Sequence, residues 1–166
     1  MRLRVIIVLS IIAIGAAAVV VGFTHVELDA LHEPGPLETA LATNIKNILI
    51  ARSSRYGIPP APADLKASVK EGETVYGTDC SMCHGMDGRT PTDTGRWMYP
   101  RAADLTSPVV QNYSDRELFW IIKNGIRLTG MPAFGKVESD EHVWNLVNYV
   151  RTLPGSTAAK KEGDTN

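Results

Sequence analysis

The chain has 166 residues, 44% apolar and 21% charged, with 17 Lys and Arg against 18 Asp and Glu. This ordinary composition excludes a wholly disordered chain. Beyond residue 24 the balance is 15 basic to 18 acidic residues, which argues against a nucleic-acid-binding surface or a polybasic membrane patch. The two cysteines are too few for a disulfide framework and stand together in Cys80-Ser81-Met82-Cys83-His84.

Arg2 and Arg4 precede an uncharged apolar run from Val5 to Phe23, the layout of a signal peptide or a signal anchor. Nineteen helical residues at ~1.5 Å each span about 28 Å, close to the hydrocarbon thickness of a bilayer and longer than a cleavable core of about 7–15 residues. The length favours an uncleaved transmembrane anchor over residues 1–24, although Ala16-Ala17-Ala18 would suit a signal peptidase. The two arginines would keep the amino terminus on the cytoplasmic side and place the rest of the chain outside.

Residues 25–63 are expected to hold a polar spacer, a short amphipathic helix and a Pro-rich linker. Leu37, Leu41, Ile45, Ile48 and Leu49 recur at helical spacing, with Arg52 and Arg55 in the last turn and Gly57 as the stop. That stripe could pack on the following domain, lie at a lipid interface or dock a partner subunit. Gly57-Ile-Pro-Pro-Ala-Pro-Ala63 reads as a stiff connector and a domain boundary.

In residues 64–154, Asp64 is expected to cap a helix through about Tyr76. Ser114-Asp-Arg-Glu117 is a capping box opening a helix through about Asn124, with Gly125 as its stop. Ser139 would cap a third helix ending near Leu153 at Pro154-Gly155, and residues 155–166 read as a disordered tail. With no period-2 run, the fold class is all-α.

Two thiols separated by two residues can each add to a vinyl group of haem, with His84 directed at the iron. A Cys-x-x-Cys pair alone would also suit a redox dithiol or half a zinc site, but zinc would need a second ligand cluster that the sequence lacks. His25, His32 and His142 are scattered and read as surface or interface residues. Met131, held between Gly130 and Pro132, offers a soft thioether as the second axial ligand; Met82, Met86 and Met98 read as packing around the macrocycle. With both axial positions filled, ligand chemistry at iron is suppressed and one-electron exchange remains.

Gly72-x-x-x-Tyr76, Cys80-Ser-Met-Cys-His84, Tyr99-Pro-Arg-Ala-Ala-Asp-Leu105, Gly130-Met-Pro132 and Trp144-x-x-x-x-Tyr149-Val-Arg-Thr-Leu153 resemble the motifs of a monohaem class I c-type cytochrome over about residues 64–154. The resemblance implies that fold around one covalently bound haem c, with the first and last helices crossing at right angles and Gly72 and Tyr76 meeting the Trp144–Tyr149 stretch. Nine of the 11 aromatic residues fall between Tyr76 and Tyr149, consistent with walls for a large apolar cofactor. The resemblance also implies a proline carbonyl accepting from the proximal imidazole, for which Pro100 is the match and Pro91 and Pro108 the alternatives. Arg127, Arg101 and Trp97 are candidates for contacts to the haem propionates.

The function expected is that of an electron carrier, not an enzyme, on the periplasmic face of the inner membrane of a respiring bacterium. Its partners would be the membrane and a redox protein such as an oxidase or dehydrogenase, with no nucleic acid and no small-molecule substrate. The alternatives are an obligate subunit of a respiratory complex, or a haem sensor or peroxidase in which Met131 is displaced.

Overall fold

The computed structural model describes residues 2–24 and 31–163, and every regular element among them is helical. Two units are distinct, residues 1–33 and 34–166. The first contains α1 (Arg2–Thr24), whose aliphatic side chains are exposed along its length. It is long and apolar enough to cross a membrane, a test that a signal sequence also passes.

The second unit begins with α2 (Pro36–Ser53), which ends one turn before Gly57. Its Ile50 is 2% exposed, and Ser54, just past its end, is also buried. Asn47 accepts from the Tyr113 hydroxyl at 2.5 Å, Glu38 accepts from the Tyr99 hydroxyl at 3.1 Å, and the Arg55 carbonyl accepts from Arg116 at 3.0 Å. The stripe that could have packed on the domain faces the other way: Leu37, Leu41, Ile45, Ile48 and Leu49 are all exposed.

The Pro-rich stretch is not a boundary. Ile58 packs against the core, and the Trp144 indole N–H, otherwise without an acceptor, donates to the Pro59 carbonyl at 3.0 Å. The linker is thereby part of the second unit, and the chain divides near residue 33 instead.

The core lies where α3 (Leu65–Asp79), α7 (Asp115–Asn124) and α8 (Asp140–Gly163) meet. Asp64 caps α3 by accepting from the Ala67 N–H, and Ser114 and Glu117 close the expected capping box on α7. Gly125, at φ +66°, stops α7. Val75, Tyr76, Leu118, Phe119, Val143, Leu146 and Val147 are buried together, and the Phe119 and Trp144 rings stand 4.8 Å apart. At the crossing of α3 and α8, a Cβ on Gly72 would lie 2.0 Å from the Asn145 carbonyl oxygen, so only glycine allows this approach. The Tyr76 and Tyr149 rings then meet at 5.1 Å. Ser68 donates to Asn145 at 2.5 Å and accepts from Asn148 at 2.8 Å, so the polar groups at this crossing are paired.

Contrary to expectation, α8 does not end at Pro154 but runs to Gly163, so most of the polar tail is helical; residues 164–166 lie outside the described residues. A proline inside a helix deprives the carbonyl four residues earlier of its N–H partner. Here that carbonyl, Val150 O, accepts from Gln111 Nε2 at 3.1 Å. Between the long helices lie α4 (Ser81–His84), α5 (Asp93–Trp97), α6 (Pro108–Gln111) and a 3-10 turn, Phe134–Lys136.

Candidate cofactor site

Cys80 caps the C-terminus of α3, and its carbonyl accepts from the N–H groups of Cys83 at 3.1 Å and His84 at 2.9 Å. This single turn, α4, puts residues three and four positions beyond Cys80 on the same side as Cys80 itself. Gly85, at φ +75°, ends it. The buried Tyr76 hydroxyl donates to the Gly85 carbonyl at 2.7 Å, bracing the turn from beneath. This bracing role was not evident from sequence, where Tyr76 was expected at the end of the first helix and against the Trp144–Tyr149 stretch.

Both thiols are free and half-buried. Burial, aided by the nearby Asp79 carboxylate, pushes the Cys80 thiol up to about 12. Cys80 therefore rests as a neutral thiol and not as the stabilised thiolate of a redox nucleophile. Among the described residues no cluster of three or more His, Cys, Asp or Glu could hold a bare metal ion. The donor set fits a metal that brings its own equatorial ligands, as haem does.

Burial lowers the affinity of His84 for a proton, partly offset by its bond to the Ala103 carbonyl, so the neutral ring is favoured. Nδ1 lies 2.8 Å from the Ala103 carbonyl, which can only accept. Nδ1 therefore carries the hydrogen and Nε2 keeps its lone pair for a metal. The acceptor is thus Ala103, not Pro100, Pro91 or Pro108. The backbone on either side fixes it: Ala102 N–H donates to Gly95 O at 2.9 Å, and Leu105 N–H donates to Gly88 O at 2.7 Å.

Met131 is half-buried against the same core cluster as Cys80. Its N–H donates to Thr129 Oγ1 at 3.1 Å, and that hydroxyl donates to the Ile126 carbonyl at 2.7 Å. A Cβ on Gly125 would come within 2.7 Å of the Met131 and Pro132 carbonyl oxygens, so the loop folds back onto the end of α7. A chain of close contacts connects this loop to the cysteine turn. Gly130 sits on the Met98 side chain, just past the end of α5, and Gly95 within α5 sits on the Cys83 carbonyl. Met98, read from sequence as gap-filling, here supports the loop that carries Met131.

The other candidates are peripheral. Trp97 is 78% exposed, and Arg101 and Arg127 are also on the surface. His142 Nδ1 pairs with Glu138 at 2.6 Å, His32 is exposed, and His25 lies outside the described residues. Cys80 and Cys83 would hold a haem through thioethers, and His84 and Met131 would be the residues to ligate its iron; when bound, the group would supply a reversible one-electron couple. The chain's own part is to fix the imidazole through Ala103, brace the cysteine turn through Tyr76 and constrain the Met131 loop.

Comparison with known proteins bears on the family of the domain. The chain resembles a chain of the Kuenenia stuttgartiensis reducing HAO-like protein complex, with a TM-score of 0.51 and 25% identity over 58% of this chain and 47% of that one. The match therefore spans about half the length of the solved protein. No curated protein matches the chain. Residues 67–150, which contain Cys80, Cys83, His84 and Met131, match the family described as cytochrome c oxidase, cbb3-type, subunit III, and the chain belongs to that family of c-type cytochrome domains.

Proposed function

We propose that the protein carries single electrons through one haem c, attached by Cys80 and Cys83 and ligated by His84 and Met131, and that it catalyses no reaction of its own. The observation that carries this reading is the helical turn that groups Cys80, Cys83 and His84, with His84 Nδ1 committed to Ala103. Filling both axial positions leaves iron no place for a substrate and keeps its coordination alike in both oxidation states, which favours rapid transfer. Arg127 and Arg101 are proposed to neutralise the propionates, and the Trp97 indole to hydrogen-bond to them.

The length of α1, together with Arg2 and Arg4 before its apolar run, supports a single-pass anchor in the inner membrane with the cytochrome domain on the periplasmic side. Tethering raises the local concentration of the carrier near membrane redox partners. A second reading, an obligate subunit of a respiratory complex, is supported by the family's description as an oxidase subunit and by the multi-protein complex of the solved relative. Co-purification with larger subunits in mild detergent would favour it over a free shuttle.

Optical spectra of the purified protein in both oxidation states test the site. Met131→Ala should retain covalent haem, lose the Met-to-ferric-iron charge-transfer band, bind carbon monoxide when reduced and show a lower potential, because a soft donor to ferrous iron is gone. Met82→Ala and Met86→Ala should keep the band. Persistence of the band in Met131→Ala would identify another sulfur as the ligand, and ready binding of carbon monoxide by the unmodified protein would favour a sensor or peroxidase.

A further inference from the structure

We infer that α2 is a membrane-surface helix whose exposed aliphatic stripe seats the cytochrome domain on the lipid bilayer. Leu37, Leu41, Ile45 and Ile48 recur every three or four residues and are 72%, 55%, 56% and 67% exposed, with Leu49 beside them at 53%. The opposite side of the helix, through Ile50 and Asn47, is already occupied by the domain. An exposed aliphatic strip on the outside of a folded unit, interrupted by Glu38 near its start, is a place where something docks.

Lipid is the occupant that the chemistry favours. The strip carries no aromatic residue and no central arginine, the anchors that protein–protein contacts concentrate. Arg52 continues the same line at its end, where a long cationic side chain can lie along apolar surface and reach headgroups. Only residues 25–36 separate α1 from Leu37, and about 12 residues of chain reach at most about 40 Å. A span held in the bilayer would therefore keep the strip at high local concentration beside it. Glu27, Asp29 and Glu33 make that connection acidic, so burial of aliphatic surface, rather than charge, is the driving force.

The consequence is orientation. Asn47, Glu38 and the Arg55 carbonyl tie α2 to Tyr113, Tyr99 and Arg116, so seating the helix would hold the cytochrome domain with one constant face to the membrane. The inference rests on the reading of α1 as a retained anchor, and the experiment separates the two.

The haem-loaded full-length protein is reconstituted into phosphatidylcholine vesicles, with phosphatidylglycerol as a minor component and a diazirine on the acyl chain of a tracer lipid. After photolysis, labelled peptides are mapped by mass spectrometry. Labelling of both the α1 peptide and the peptides covering 37–52, undiminished by high salt, is the expected result. Leu41→Gln with Ile48→Gln should abolish the second signal and keep the first; both side chains face outward, and an unchanged visible spectrum verifies the fold. The single substitution Leu41→Gln should give partial loss. Labelling of α1 alone would overturn the inference and leave the anchor intact. Labelling of neither would overturn both. An unlabelled α2 in a chain that cross-links as a dimer would identify a second copy as the occupant and equally overturn it.

Discussion

Replacing Gly72 with alanine probes the crossing on which the cytochrome domain closes. The added carbon would lie 2.0 Å and 2.5 Å from the Asn145 carbonyl oxygen and carbon, and 2.9 Å from Tyr149 Cβ. Ordinary contact between such atoms is at about 3.5–4.0 Å, so α3 and α8 must separate by about 1.5 Å. None of these atoms is the tip of a flexible side chain, which places the cost at the upper end of the ~1–3 kcal/mol typical of overpacking. Alanine recovers about 1 kcal/mol of helix propensity. The net loss is about 2 kcal/mol, or about 7 °C in Tm at ~2.1 cal/mol/K of unfolding entropy per residue for the unit formed by residues 34–166. Gly77, on the same helix, has nothing within 4 Å of its Cβ direction, so Gly77→Ala should gain up to about 1 kcal/mol. Far-UV circular dichroism melts of the two haem-loaded variants would decide. Equal melting temperatures for Gly72→Ala and the unmodified protein would refute the close approach of α3 and α8.

The same crossing is sensitive to its polar pairing. Ser68→Ala would strip the buried Asn145 and the half-buried Asn148 of a partner and should cost about 1–3 kcal/mol, measured by denaturant unfolding. At the turn after His84, the Asp87 carboxylate accepts from the N–H groups of Thr90 and Arg89, which hold its pKa below the ordinary aspartate value. A depressed folded pKa gives stability that is present above the unfolded pKa and lost as pH falls through the folded one. Asp87→Ala should therefore lower stability near neutral pH, and its difference from the unmodified protein should shrink as the pH falls below the normal aspartate range. A difference independent of pH would show that the carboxylate's charge has no part in the turn.

Features set by neighbours in sequence could be read directly from it. Asp64, Ser114 with Glu117, and Ser139 each announce a helix start through a side chain that accepts from an N–H two or three residues on, and each does so in the structure. The cysteine turn and the family resemblance were equally legible, because their geometry is confined to a few consecutive residues. The proximal acceptor was not. What aims the Ala103 carbonyl is a pair of backbone bonds to Gly88 and Gly95, and these depend on no side chain that a sequence displays. Pro154 misled for a similar reason: a proline ends a helix unless a distant group takes the released carbonyl, and Gln111, 39 residues from Val150, does so. The exposed side of α2 was ambiguous because periodicity reveals that a helix has an apolar stripe without saying whether the domain takes it. The helices α5 and α6 are too short to complete a hydrophobic period.

The pairing of α3 with α8 also orders events as the chain is made. Ser68 and Asn145 are 77 residues apart, so α3 emerges long before the helix that covers it. Until the segment around Val143 to Val150 arrives, Val75 and Tyr76 lack the neighbours that bury them, and an unfinished chain presents Cys80 and Cys83 on a turn whose backing is incomplete.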